Sequence, residues 1–204
     1  MHSDSSKRKR NEYVTFSFAL FGITLLVAAF LSLFNNITAG KIAANQEQKL
    51  VSAMIAVLPE AKTFDDISDT VLEHWDEDVK LLNAFAAKNN KGDTVGYCIE
   101  LAPNGYSNAI DMMVGITLSG EISDIFIISL SDTVGIGTQI LEPEFKDQFI
   151  GKDSAFVGVK GVASRNGEIT LISGATHTSL GFTDGVNSAL KVYQIIVEEG
   201  VQHE

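Results

Sequence analysis

The sequence has a single cysteine, Cys98, among its 204 residues. One cysteine cannot form a disulfide within the chain, and it cannot supply the set of thiolates that an iron–sulfur cluster or a structural zinc site requires. The four histidines are scattered, at positions 2, 74, 177 and 203, and give no metal-ligand spacing. The composition therefore predicts neither a disulfide framework nor a metal centre on this chain.

Basic residues are scarce beyond the N-terminal end. The formal net charge is -11, and residues 41–204 contain 11 basic and 24 acidic side chains. A surface of this sign repels a phosphate backbone, so nucleic acid is excluded as a partner.

A long apolar run is present, but only near the N-terminus. Residues 13–34, "YVTFSFALFGITLLVAAFLSLF", are uncharged and apolar all round, and they are long enough to cross a hydrocarbon slab of roughly 30 Å. The "KRKR" sequence at residues 7–10 precedes them, so the positive-inside rule places the N-terminus in the cytoplasm and residues 41–204 outside. A cleaved signal peptide is the alternative, but its apolar core is shorter, about 7–15 residues. We therefore predict an uncleaved, lipid-embedded, single-pass anchor in the cell membrane.

The remaining sequence predicts a helix, then strands, then a helix. Apolar spacing favours a helix over residues 41–58 that ends at Pro59, while residues 64–93 are acidic and irregular. A last helix is expected over residues 183–199, with Asp184 in its first turn. Five apolar runs with short turns between most of them predict strands at residues 94–101, 109–118, 122–129, 155–160 and 169–173, with a hairpin connection at "LSGEIS".

This order predicts the α+β class, with a mostly antiparallel sheet and flanking helices. We divide the chain into a cytoplasmic tail, a transmembrane helix, a helical stalk and entry region, and a ligand-binding domain, at residues 1–12, 13–36, 37–93 and 94–204.

The motif "SGATHTS", residues 173–179, follows a predicted strand and precedes a predicted helix. Small residues let the backbone approach a ligand closely, and the free amides at the start of a helix attract an anion, above all a phosphate. From the residues alone, Thr176 is a catalytic group, part of a phosphate cradle, an attachment point, or only part of a turn.

A second motif, "DTVGIG" at residues 132–137, is by itself a common kind of loop. With "GEIS" before it, "FIGKD" after it and "SGATHTS" further on, the order of motifs resembles the covalent FMN-binding domain family. That family includes the G subunit of the Rnf complex and the C subunit of the sodium-pumping NADH:quinone oxidoreductase, which also carry one N-terminal spanning helix. Two departures stand out: Val134 replaces the proline of the family's E-T-P-G-L-G loop, and Thr170 stands where the family usually has an acidic residue.

The resemblance implies that an FMN is joined through its phosphate to the last residue of S-G-A-T, Thr176. A threonine hydroxyl needs activation to attack a phosphoanhydride, and the motif offers no positioned base, although His177 is adjacent. A separate Mg-dependent flavin transferase that uses FAD is therefore the expected partner for maturation, and no catalytic residue is assigned.

The resemblance also implies cofactor-binding roles for the other motif residues. The glycine loop would lie against the flavin ring or ribityl chain through Thr133, Gly135, Ile136 and Gly137. The turn would be shaped, and read by the transferase, through Ser173, Gly174 and Ala175. Thr178 and Ser179 would hydrogen-bond the phosphate or cap the helix.

The implied function is that of an electron-carrier subunit of a membrane Rnf-type complex, which couples electron transfer between ferredoxin and NAD to the translocation of Na+ or H+. The chain has no dinucleotide fingerprint and no cysteine cluster, so sites for NAD and ferredoxin would lie on partner subunits that carry flavins and iron–sulfur clusters. The alternatives are a C subunit of the sodium-pumping quinone reductase and a stand-alone, membrane-anchored extracytoplasmic flavoprotein.

Overall fold

A computed structural model describes residues 3–131 and 137–200. The chain divides into two compact units, Met1–Gln48 and Lys49–Glu204. The expected roles of Thr133, Gly135 and Ile136 fall on residues that lie outside the described ranges.

The first unit is helical. Helix α1, Ser3–Val57, runs through it and contributes its last residues to the second unit. Its segment Phe16–Asn35 has a mean hydropathy of 2.3, and none of that segment is buried inside the protein. By length and composition this segment is able to span a membrane. The helix ends two residues before Pro59, as the sequence predicts, because proline cannot continue a helix.

The second unit is built on a five-stranded antiparallel sheet in which neighbours in sequence are neighbours in space. A short helix, α2 (Ser68–Leu72), connects the first two strands. The strands are β1 (Thr63–Asp66), β2 (Lys80–Lys88), β3 (Thr94–Ala102), β4 (Asp111–Thr117) and β5 (Ile122–Ser129).

The elements after the sheet are short until the last one. They are a 3-10 helix (Gly137–Leu141), α3 (Pro143–Lys146), β6 (Val157–Val159), β7 (Glu168–Thr170) and the long C-terminal helix α4 (Thr176–Glu198). Strands β6 and β7 pair in parallel as a separate two-stranded sheet.

A different helix covers each face of the five-stranded sheet. The end of α1 packs Met54 and Val57 against one face, in a cluster that includes Cys98 of β3. Helix α4 packs Phe182 and Val186 against the other face, and the next residue of β3, Ile99, belongs to that cluster. Neighbouring strand residues point to opposite faces, so the sheet is buried on both sides.

The structure confirms the predicted α+β architecture and corrects two parts of the sequence interpretation. The stretch 64–93 is not irregular, because it contains β2, which pairs with β3; the segment boundary expected at residue 94 thus falls between two paired strands. The C-terminal helix begins at Thr176 rather than near residue 183, so Asp184 lies in the helix interior and the first turn has no acidic residue.

Candidate functional site

The S-G-A-T residues form the turn that leads into α4. The Ala175 amide donates a hydrogen bond of 3.1 Å to the Ile172 carbonyl, which closes the turn. Gly174 has φ +84°, a left-handed conformation that an L side chain adopts only at a cost. Thr176, two residues after Gly174, is the first residue of α4.

The hydroxyl groups of this motif differ in accessibility. Ser173 and Gly174 are exposed and Thr176 is partly exposed, whereas Thr178 and Ser179 retain 1% and 0% of their exposed surface. A macromolecule that approaches from solvent therefore reaches Ser173 or Thr176 and not the two buried residues. His177 is exposed, and its ring centroid lies 6.2 Å from that of Tyr106.

Ser179 stabilises the turn from inside. Its hydroxyl donates to the Ala175 carbonyl at 2.9 Å and accepts from the Ile172 amide at 3.2 Å. The N-cap residue of α4 is Ala175, whose side chain makes no capping bond. The expected phosphate contact or helix capping by Thr178 and Ser179 stays a prediction. The first turn of α4 has no carboxylate, so no acidic side chain in that turn compensates the positive end of the helix dipole.

An open cavity of about 610 Å³ lies beside the turn. This size is in the range of small-molecule sites, about 300–1,000 Å³. Apolar side chains and polar amide groups both contribute to its wall. The lining residues are Gln139, Glu142, Glu144, Phe145, Gln148, Thr170, Leu171, Ile172 and Ser173.

The cavity is lined by one residue of the first motif and by a residue that is close in sequence to the second motif. Ser173 of the "SGATHTS" motif lines it, and so does Gln139, two residues after Gly137. Gly137 itself is buried and begins the 3-10 helix. Sequence reasoning missed Gln139, Phe145 and Gln148, because no motif marks them.

A second cavity, of about 470 Å³, lies elsewhere on α4. Four acidic side chains contribute to its wall, among them Asp184, and Lys191 of the same wall is paired with Glu77 at 2.7 Å. Of the predicted site residues that the structure describes, none lines it.

Comparison with known proteins places the chain in a family. The FMN-binding domain family matches residues 105–191. The G subunit of the Na(+)-translocating ferredoxin:NAD(+) oxidoreductase complex of Acetobacterium woodii is 34% identical over 185 residues, which are 86% of this chain and 88% of that protein. The G subunit of the ion-translocating oxidoreductase complex of Methanosarcina acetivorans is 27% identical, over 82% of this chain and 87% of its own.

The chain belongs to the family of G subunits of ion-translocating oxidoreductase complexes. The family predicted from the motifs is therefore confirmed. Two solved structures share the fold of this G-subunit family member. NqrC of Shewanella oneidensis has a TM-score of 0.50 and 19% identity, covering 57% of this chain and 59% of its own. The C subunit of the Na(+)-translocating NADH-quinone reductase of Parabacteroides distasonis has a TM-score of 0.50 and 21% identity, covering 66% and 77%.

Proposed function

We propose that this G-subunit family member is a membrane-anchored electron carrier that holds an FMN by a phosphoester bond to Thr176. It would serve in a complex that couples electron transfer between ferredoxin and NAD to ion translocation, the activity that the names of its relatives give. The observation that carries the proposal is the position of Thr176: a partly exposed hydroxyl residue at the N-terminus of α4, directly after the S-G-A-T turn.

The residues present fit an FMN. The first turn of α4 has no acidic side chain, so its free amides and positive dipole end favour a phosphate at Thr176. The adjoining cavity offers an apolar surface from Phe145 and Leu171 and hydrogen-bonding groups from Gln139 and Ser173. A flavin ring needs both, because it has an apolar face and a polar edge. The glycine loop residues Thr133, Gly135, Ile136 and Gly137 would complete this site, and Ser173, Gly174 and Ala175 would shape the turn.

The attachment step is a phosphoryl transfer. The Thr176 oxygen would attack the FMN-side phosphorus of FAD, the bond from that phosphorus to the bridging oxygen would break, and AMP would leave. The hydroxyl proton would pass to a base. Since α4 has no carboxylate in its first turn, we expect that base and a Mg²⁺ ion to come from a separate flavin transferase.

Bound FMN supplies the redox chemistry, because a flavin accepts and releases one or two electrons. The chain's own part is to hold the group, tune it and keep it at high local concentration near its partner subunits. The helix segment Phe16–Asn35 would anchor the chain in the cell membrane, and the basic residues before it favour an extracytoplasmic position for the second unit. NAD and ferredoxin would bind to other subunits, which carry their own flavins and iron–sulfur clusters.

The test is the intact mass of the full chain, coexpressed with a flavin transferase. We expect wild type to gain one FMN minus one water and to fluoresce in a denaturing gel under ultraviolet light, whereas Thr176→Ala gains nothing. Thr176→Ser keeps a hydroxyl at the same place and is expected to retain some flavin. Fragment masses should put the flavin on residue 176. Attachment to Ser173, the other accessible hydroxyl of the turn, would overturn the assignment.

A further inference from the structure

We propose that Gln148 is a positioning residue for flavin attachment. Its side-chain amide fixes the strand end that leads into the S-G-A-T turn and thereby sets the position of the Thr176 hydroxyl. The inference rests on the proposed attachment at Thr176 and assigns a role to a residue that no motif marks.

The Gln148 amide contacts the main chain of Thr170 at both of its polar groups. Its Oε1 accepts a hydrogen bond of 2.7 Å from the Thr170 amide, and its Nε2 lies 3.4 Å from the Thr170 carbonyl, to which it donates. Nε2 also donates to the Phe145 carbonyl at 3.3 Å. A primary amide used in this way presents to Thr170 the same donor and acceptor that a neighbouring strand would present.

Gln148 occupies the edge of β7 that no strand covers among the described residues. On one edge, β7 pairs with β6, and the Leu171 amide donates to the Val159 carbonyl at 3.0 Å. Successive residues of a strand direct their amides to opposite edges, so the Thr170 amide points away from β6. Gln148 satisfies it there, which fixes the strand end from the second side.

The next residue is fixed by a third element. The Ile172 amide donates to the Ser179 hydroxyl at 3.2 Å, and this hydroxyl bonds the Ala175 carbonyl. The Thr170 amide is therefore held by Gln148 in the turn after α3, the Leu171 amide by β6, and the Ile172 amide by Ser179 of α4. Thr176 comes four residues after this link, across a closed turn, so a displacement at Thr170 is passed on to it.

The segment that carries Gln148 is held in place by aromatic packing against α4. The next residue, Phe149, is fully buried, and its ring lies 5.2 Å from that of Phe182 in α4. Phe145, three residues earlier, lies 5.3 Å from the same ring. The segment that carries Gln148 therefore packs against α4, the helix that begins with Thr176. A positioning contact requires this arrangement.

The experiment compares Gln148→Leu, which keeps the size but loses both polar groups, with Gln148→Glu, which keeps the acceptor for the Thr170 amide. The matched control is Gln194→Leu, the same change at an exposed position of α4. Full-length apoprotein is incubated with flavin transferase, FAD and Mg²⁺. Covalent flavin is followed over time by gel fluorescence and intact mass, and hydrogen exchange of residues 170–172 is measured on the apoprotein.

We expect attachment to Gln148→Leu to be about ten- to a hundredfold slower than to wild type, because a misplaced nucleophile loses rate steeply. Exchange of the Thr170 amide should rise in this variant, and Gln194→Leu should match wild type. Gln148→Glu keeps the acceptor for the Thr170 amide but sets a second acceptor oxygen against the Thr170 and Phe145 carbonyls, so it should recover both properties in part. Wild-type attachment rates in Gln148→Leu, or unchanged exchange at Thr170, would overturn the inference. If Gln148→Leu fails to fold, Gln148→Glu decides, since a folded Gln148→Glu with slow attachment and wild-type exchange contradicts it. Absence of flavin on wild type is a different result, which refutes the proposed function and the inference together.

Discussion

Gly181 of α4 lies directly against the main chain of Asn104, and a Cβ atom on residue 181 would overlap the Asn104 carbonyl oxygen. One turn later, a Cβ on Gly185 would meet the Met112 sulfur at 2.6 Å and the Pro103 ring at 2.7 Å. The two glycines share one face of the helix, because residues four apart lie one above the other. They let the N-terminal half of α4, which begins with Thr176, approach the loop after β3 more closely than any side chain would allow.

Gly181→Ala is therefore expected to destabilise the protein. The obstacle is a backbone carbonyl that cannot rotate away, so the free energy of unfolding should fall by about 3 kcal/mol or more, the upper part of the range for overpacking. The measurement is denaturant unfolding of the full chain in detergent. Gly40→Ala is the control, because nothing lies within 4 Å of a Cβ at that position of α1. Equal midpoints for the two variants would contradict the packing described for α4.

Cys98 should be unreactive in the folded protein. Its side chain is fully buried against α1, with Sγ 3.9 Å from the Met54 carbonyl, and burial raises the pKa of the thiol to about 12. Since the thiolate is the reactive form, iodoacetamide should leave native protein unlabelled and label it once after unfolding. Ser129→Cys, at an exposed strand end, is the control and should react once without denaturant. Labelling of native wild type at the rate of this control would show that the α1 face of the sheet opens.

The sequence predicts three strands of the five-stranded sheet but not β2, for a physical reason. Strands β3, β4 and β5 combine apolar runs with turn residues, and all three were predicted within two residues of their observed bounds. Strand β2 was not predicted, because both of its faces are covered. Ala84 and Ala86 are buried in one cluster, and Phe85 and Ala87 are buried in the cluster that contains the end of α1. A strand that is buried on both faces does not alternate apolar and polar residues. Its sequence pattern is therefore not distinguished from that of a buried helix.

The start of α4 escaped prediction for a different reason. Serine, threonine and glycine are weak helix formers, and they dominate the first turns. In the fold Phe182 and Val186 of these turns are fully buried in the core, so tertiary packing outweighs propensity. The motif located Thr176, but Gln148 contacts its partner Thr170 over 22 residues of sequence, and a local pattern carries no sign of such a contact.

Gly174→Ala should show whether the shape of the turn, rather than the stability of the whole protein, controls flavin attachment. An alanine at φ +84° costs about 1–2 kcal/mol, so the variant should be mildly less stable, and the shifted turn should slow flavin attachment to Thr176. Gly92→Ala is the matched control: Gly92 has φ +89° and nothing lies within 4 Å of its Cβ position. We expect a similar loss of stability in both variants, measured by denaturant unfolding, and slow attachment only in Gly174→Ala. Attachment that slows equally in both would mean that general stability, and not the turn, controls the reaction.

Glu100 of β3 is buried at 6% exposure, next to a second carboxyl group. Asn83 donates a hydrogen bond to Glu100, while Oδ1 of the neighbouring Asp111 is buried and has no hydrogen-bond partner among the described residues. Burial, and to a lesser degree the charge of Asp111, raises the pKa of Glu100 from 4.5 to about 7 against the opposing effect of Asn83. Burial also raises the pKa of Asp111, and the hydrogen bond with Glu100 and, to a lesser degree, the charge of Lys49 oppose this rise.

These shifts make stability fall as pH rises. Between the unfolded value of 4.5 and the folded value of about 7, the folded chain holds a proton on Glu100 that the unfolded chain releases. Stability contributed by that proton is complete below this window and is lost as pH passes through it. Glu100→Gln stays neutral, still accepts from Asn83, and offers its own amide hydrogens to Asp111. It should be more stable than wild type above neutral pH and should flatten the profile across the window.

Urea unfolding of the full chain, at steps from about pH 5 to about pH 8, measures this effect. Glu60→Gln is the control, because Glu60 is exposed and its replacement removes the same charge from the surface. Its unfolding midpoint should follow the wild-type profile. A Glu100→Gln profile that runs parallel to wild type would mean that Glu100 is ionised at neutral pH. In that case its charge would need a compensating cation. Lys49, whose charge acts on the neighbouring Asp111, is a described candidate, and Lys49→Met would then lower the stability of the protein.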